Sequence, residues 1–240
     1  MSARPKKSEQ AHLETTRANL VAAALAHVPF DGWSAASFQA AIAQSGTPDA
    51  LARLACPRGA TDLAIAHHRR GDQAMAAAAR TADLAGLRYG QKVAALVDLR
   101  IRMAGDKEVV RRGLTFFAMP AHAVEGAAAI WATADLIWET LGDTSTDFNW
   151  YSKRVILSAV YSSTVLFWLG DESPGHRDTR AFLDRRIENV LQFEKAKGKL
   201  RDTKLLQGFM RGPGRWLDRL QKPEQSHRAD LPGYSGAKNR

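Results

Sequence analysis

Cysteine is nearly absent. Cys56 is the only one in 240 residues, which excludes an intrachain disulfide and any zinc site built on several cysteines. One free thiol is in keeping with a reducing compartment. Long apolar runs are missing as well. No stretch reaches the roughly 18 uninterrupted apolar residues of a membrane-spanning helix. The uncharged run 155–170 carries Ser158, Ser162, Ser163 and Thr164 and reads as a helix buried on every side. Catalytic fingerprints are lacking too. No His-Glu-x-x-His, Gly-x-Ser-x-Gly, P-loop or dinucleotide-binding glycine pattern occurs. His67 and His68 are adjacent on one helix, point in different directions and make a poor ligand pair. The sequence therefore predicts no catalytic residue, no metal and no cofactor. An apolar signal-peptide core is absent after Met1, and no alternating strand pattern of useful length appears.

What is present reads as a soluble globular chain, with 45% hydrophobic and 25% charged residues. The length suits one core with a second, smaller unit beside it. The net charge of +9 is uneven. Residues 195–240 hold 12 Lys/Arg against 4 Asp/Glu, a net +8, which leaves +1 for the rest. The basic excess thus belongs to the tail, which suits an acidic or anionic partner surface.

Helical periodicity starts at about residue 9 and runs to 27, with Leu13, Leu20, Val21, Ala24 and Leu25 on one face. Pro29 is expected to end that helix. Ser34 is placed to cap a helix over 35–44, which Gly46 closes. Thr47 is expected to cap a further short helix, with Pro48 at its first position, over 49–55. A longer helix follows over 61–81. This order is that of a helix-turn-helix unit. Together with Ala22-Ala23-Ala24-Leu25 and Phe30-Asp31-Gly32-Trp33-Ser34 it resembles the opening of the TetR-type regulator fold. The short third helix should read DNA in such a protein. Here it holds alanines, leucines and one cation, Arg53. Groove reading needs basic and amide side chains, so DNA is not an expected partner. Five further apolar stripes fill 90–194, and the fold class expected is all-α.

The run 142–154 packs Asp143, Asp147, Asn149, Phe148, Trp150, Tyr151, Lys153 and Arg154 into 13 residues. It resembles the Coq-nine type of ubiquinone-biosynthesis accessory protein. The resemblance extends through Leu157-Ser158-Ala159-Val160-Tyr161-Ser162-Ser163-Thr164 and through Asp178-Thr179-Arg180-Ala181-Phe182-Leu183. It also takes in Pro29-Phe30-Asp31-Gly32-Trp33. It implies a TetR-like fold that serves lipid binding, with a small N-terminal helix-turn-helix-like unit and a larger C-terminal helical domain. It also implies an isoprenoid quinone lipid as ligand, a homodimer, and a Coq-seven type quinone hydroxylase as partner. That partner is expected to dock on Asp147, Trp150 and Tyr151. For the lipid, the residues expected are Val155, Leu157, Val160, Tyr161, Thr164, Phe167 and Trp168.

Residues 195–201 read as a basic linker. After it Leu205, Leu206, Phe209, Met210, Trp216, Leu217 and Leu220 form an apolar stripe with a basic opposite face. Such a stripe suits an anionic membrane surface. Gly212-Pro213-Gly214 is expected to break it into two pieces. The organisation expected is a disordered lead over 1–9, the helix-turn-helix-like unit over 10–82 and the lipid-binding domain over 85–194. A membrane-binding segment over 195–222 and a disordered end over 223–240 follow. The functional expectation is a cytoplasmic, peripherally membrane-bound lipid carrier for ubiquinone biosynthesis. The alternative is a TetR-like ligand-responsive transcriptional regulator.

Overall fold

The computed structural model describes residues 7–145 and 148–201, with side chains placed for 8–145 and 149–192. Among the described residues there are ten α-helices and no strand. The first five are α1 (Lys7–Ala24), α2 (Val28–Asp31), α3 (Ala35–Ser45), α4 (Asp49–Ala55) and α5 (Ala60–Ala79). Pro29 lies beyond the end of α1, which already stops at Ala24. It sits in the first turn of α2, where a missing N–H costs nothing. Ser34 caps α3 in a reciprocal pair. Its hydroxyl accepts from the Ser37 amide at 3.3 Å, and the Ser37 hydroxyl accepts from the Ser34 amide at 3.0 Å. Thr47 does not cap α4, because Pro48 occupies the cap position. Thr47 instead accepts a hydrogen bond from the Ser45 hydroxyl at 2.8 Å. The open C-terminal end of α4 is closed from α1, where Arg17 donates to the Ala55 carbonyl through Nε at 2.9 Å and Nη2 at 2.6 Å.

The second set is α6 (Tyr89–Arg102), α7 (Lys107–Ala118), α8 (Ala123–Thr140), α9 (Phe148–Leu169) and α10 (Arg177–Arg201), with a 3-10 turn at Pro174–His176. Two hydrophobic cores result. Leu20, Val28, Trp33, Phe38 and Leu63 centre the first. Met75, Leu96, Ile137, Leu157 and Leu183 centre the second. Helix α5 feeds both, with Leu63 in one and Met75 in the other. Helix α7 crosses the expected boundary, for its Val109 and Phe116 pack into the first core.

Two expectations about the helices need correction. Helix α9 is not buried all round. Val155 is 56% exposed and Leu166 62%, and Ala159 is exposed between them, so its outward stripe is apolar without being covered. The segment 195–201 is not a linker, since α10 continues through it to Arg201. The tail residues Leu205, Leu206, Phe209, Met210, Trp216, Leu217 and Leu220, and Asp147, lie outside the described residues. No helix among the described residues is long and apolar enough to cross a membrane.

Candidate functional site

Among the described residues, the larger of two mainly apolar cavities, of about 210 Å³, lies between α6, α8, α9 and α10. Two wider and more polar clefts of about 490 and 460 Å³ border the N-terminal helices. Tyr89, Trp138, Leu157, Val160, Ile187 and Leu191 line the larger apolar cavity. Tyr89 and Trp138 stack with ring centroids 5.8 Å apart. Gly90 lets α10 come close, because a Cβ there would lie 2.8 Å from the Leu191 side chain. Asn149, Ser152 and Lys153 supply the polar part of the lining. A cavity of about 150 Å³ accepts benzene, so this one has room for a short branched hydrocarbon segment.

Beside it, the loop after α8 is locked to α9 by ion pairs. Lys153 Nζ lies 2.6 Å from Asp143 Oδ1 and 2.6 Å from the Ser145 hydroxyl. Arg154 Nε donates to Asp135 Oδ1 at 2.5 Å, and Nη1 reaches Asp143 Oδ2 at 3.4 Å and the Trp150 carbonyl at 3.1 Å. The guanidinium lies 3.9 Å from the centre of the Trp150 ring. Burial acts to raise the Asp143 pKa, but Lys153 and Ser145 outweigh it and hold the carboxyl below its usual range.

The structure places the expected docking residues differently from a protruding anchor. Helix α9 begins at Phe148, so Trp150 falls in its first turn and points inward, 7% exposed. Tyr151 is half-buried, meeting Trp150 edge-on at 4.8 Å and tilted towards Trp131 at 6.4 Å. Of the expected lipid residues, Leu157 and Val160 line the larger cavity. Tyr161 lines a second one. Thr164 is buried and returns its hydroxyl to the Val160 carbonyl at 2.7 Å. Trp168 is buried under Lys107, whose Nζ lies 5.3 Å from the ring centre. Val155 and Phe167 face outward, and Phe167 stacks on Phe182 at 4.5 Å.

The second cavity, of about 90 Å³, ends on a buried polar cluster that sequence reading passed over. Arg100 Nε donates to Asp72 Oδ1 at 2.6 Å, and Nη2 donates to the His68 carbonyl at 3.0 Å. The Thr133 hydroxyl reaches Asp72 Oδ1 at 2.8 Å and His68 Nε2 at 2.8 Å. Gly71 makes this possible. A Cβ there would sit 2.6 Å from Arg100 Nη1. The signal was available, since a glycine inside a helix has a packing reason and His68 and Asp72 share one helix face.

Burial first, and the Arg100 charge second, bring His67 and His68 down from 6.5 to about 4. In the unfolded chain both sit at the ordinary value. As pH falls below about 6.5 the unfolded chain takes up these protons and the fold does not, so stability falls until about pH 4. Thermal melts across that interval should show Tm falling steadily. The substitution His67→Phe keeps an aromatic ring beside Trp33 and should flatten the slope. An unchanged slope would assign the acid sensitivity elsewhere.

In α4 the one cation, Arg53, pairs with Asp49 at 2.8 Å. Among the described residues no group of three or more His, Cys, Asp or Glu is arranged to hold a metal ion.

The COQ9 family model matches residues 123–194, which span α8, the locked loop, α9 and most of α10. Over this segment the chain is similar to the COQ9 family. Similar proteins agree. The probable ubiquinone biosynthesis protein coq9, mitochondrial, of Dictyostelium discoideum is 34% identical over 123 residues, covering 50% of this chain and 39% of that protein. Ubiquinone biosynthesis protein COQ9, mitochondrial, of Drosophila melanogaster is 29% identical over 195 residues, covering 78% and 59%. Its Homo sapiens counterpart is 33% identical over 101 residues, covering 41% and 32%. The chain thus spans between about a third and three fifths of the length of these relatives. Among solved structures, a TetR transcriptional regulator from Nitrosomonas europaea superposes with a TM-score of 0.61 at 20% identity, over 74% of this chain and 99% of that one. At that identity the likeness shows the fold alone, and the fold is the expected all-α, TetR-like one. The matched segment holds Trp138, Leu157, Val160, Ile187 and Leu191 of the larger cavity. The α6 wall of that cavity lies outside the matched segment.

Proposed function

We propose that this chain takes part in ubiquinone biosynthesis as a carrier, binding a prenylated quinone intermediate in the larger cavity and presenting it to a quinone hydroxylase. The observation that carries this reading is the apolar cavity of about 210 Å³, walled largely by the segment similar to the COQ9 family and set against the Asp143 loop that Lys153 and Arg154 lock to α9. Its lining is aromatic and aliphatic with a short polar stretch, which suits a hydrocarbon segment with a polar head. At this size it holds part of a prenyl chain, and the remainder would lie along the protein or in the bilayer.

In this reading the hydroxylase docks on Asp147 and Tyr151, while Trp150 supports that surface from beneath. The tail with Leu205, Phe209 and Trp216 rests on an anionic membrane. The outward stripe of Val155, Ala159, Leu166 and Phe167 meets a second copy of the chain. The regulator alternative loses support, because the single cation of α4 is taken up by Asp49.

The test fills the cavity. Ile187→Trp, carried in a strain lacking the wild-type gene, should lower ubiquinone several-fold and raise a hydroxylation intermediate in lipid extracts. Ile187 is only partly buried, so the variant should still melt cooperatively. A normal quinone profile with a folded Ile187→Trp protein would overturn the assignment.

A further inference from the structure

The second cavity is not a smaller copy of the first. Trp33 of the N-terminal core lines it, as do residues of α5 through α9, so it lies where the two cores meet. Most of its wall is apolar, with Val110, Leu114, Ile130 and Val165 among the lining. Its polar end is built. Arg100 is buried, 2% exposed, and held by Asp72 and the His68 carbonyl through Nε and Nη2. Its Nη1 has no hydrogen-bond partner among the described residues. Neither has the hydroxyl of Tyr161, a residue that lines the cavity and whose ring lies 5.7 Å from the Arg100 guanidinium carbon. His67 Nδ1 is buried and likewise unpartnered among the described residues. Buried donors left without acceptors are costly and uncommon in a folded chain. Among the described residues His67 Nδ1 is the one such atom at this end, and the open donors of Arg100 and Tyr161 belong to residues that line the same cavity.

The charge at that end decides what. Arg100 is neutralised by Asp72 at 2.6 Å, and the two histidines are uncharged at neutral pH because burial depresses them. A carboxylate or phosphate would give up its hydration for a site of no net charge. A neutral oxygen acceptor gives up far less and satisfies the same donors. The volume of about 90 Å³ is below the roughly 150 Å³ that accepts benzene, so the cavity takes the end of a slim chain and not a whole ring.

We propose that this cavity is a second ligand site, which takes the carbonyl end of a neutral, unbranched aliphatic molecule. The oxygen accepts from Arg100 Nη1 and the Tyr161 hydroxyl, and the chain lies against Val110, Leu114 and Ile130. This goes beyond the carrier reading and does not depend on it.

The test is an NMR titration of the full chain with three six-carbon probes: 2-hexanone, hexanoate and hexane. The ketone should bind about tenfold more tightly than hexane, one hydrogen bond's worth, and more tightly still than hexanoate. Tyr161→Phe keeps the ring and removes one donor, and should erase most of the preference for ketone over hexane. Ile187→Trp, which fills the other cavity, should leave the ketone titration unchanged. Equal binding of ketone and hexane would make this an apolar hole only. Tightest binding of hexanoate would make it an anion site. No binding of any probe would make it a water-filled cavity. Loss of ketone binding in Ile187→Trp would move the site to the larger cavity. Each of these four results overturns the proposal.

Discussion

Arg154→Ala is expected to lower stability by about 3–5 kcal/mol, which is about 6–20 °C in Tm for a chain of this size. The Arg154 side chain is 2% exposed and faces Asp143, whose own side chain is 3% exposed. Removing the guanidinium leaves Asp143 with Lys153 and Ser145 alone, and empties the space over the Trp150 ring. Asp135 is a third exposed and will rehydrate, so it adds little. Arg154→Lys restores charge but not the fork that spans two carboxylates and a carbonyl, and should recover less than half of the loss. Chemical denaturation of the three proteins checks this. A loss below about 1 kcal/mol would mean that the locked loop contributes nothing to the fold. The near-ultraviolet circular dichroism of Trp150 should change with Arg154→Ala, because its ring loses the cation stacked on it.

Arg100→Met should cost about as much, by the same physics in the other half of the molecule. Asp72 would stay buried with the Thr133 hydroxyl and His68 for company, a charge without its counterion. Breaking such a pair typically costs about 3–5 kcal/mol, whereas replacing both partners by apolar groups is often neutral. The double variant Asp72→Leu with Arg100→Met should therefore be more stable than either single one. Gly71 supplies a second check. In the wild type Gly71→Ala drives a methyl into the clamped Arg100 guanidinium and should destabilise. With Arg100→Met in place the obstacle is gone, and alanine in a helix interior is better than glycine by about 0.5–1 kcal/mol. The same substitution should thus change sign between the two backgrounds. Unfolding curves of the four proteins test it, and a substitution that destabilises equally in both would break the argument.

Much of the architecture was legible from spacing alone. Ser34, Gly46 and the Asp49–Ala55 helix stand as read, because caps and short-range periodicity are local physics. The resemblance to the COQ9 family was legible in residues 142–154. Direction was not. Periodicity marks Val155 and Leu157 alike as apolar, yet one faces out and the other in, and only the neighbouring helices decide which. Trp150 was expected on a docking surface, a direction that spacing does not fix. Once it sits in the helix, the turn carries it inward onto Arg154. The Asp72–Arg100 cluster joins residues 28 apart in sequence across two helices, a pairing that no window of one helix contains. Tyr89 and Ile187 came to the larger cavity in the same way, from opposite ends of the C-terminal half.

Helix α10 has a mechanical consequence. It carries Ile187 and Leu191 in the wall of the larger cavity and runs without a break to Arg201. At 1.5 Å per residue, the ten residues from Leu191 to Arg201 set a rigid standoff of about 15 Å. A surface that met the chain just beyond 201 would therefore be gauged from the cavity by a strut, and not by a slack tether. Inserting a full turn of about four residues into that strut would keep its face and lengthen the gap by about 5–6 Å. Inserting two would keep nearly the same gap and swing the wall roughly half a turn away from whatever the tail is fixed to.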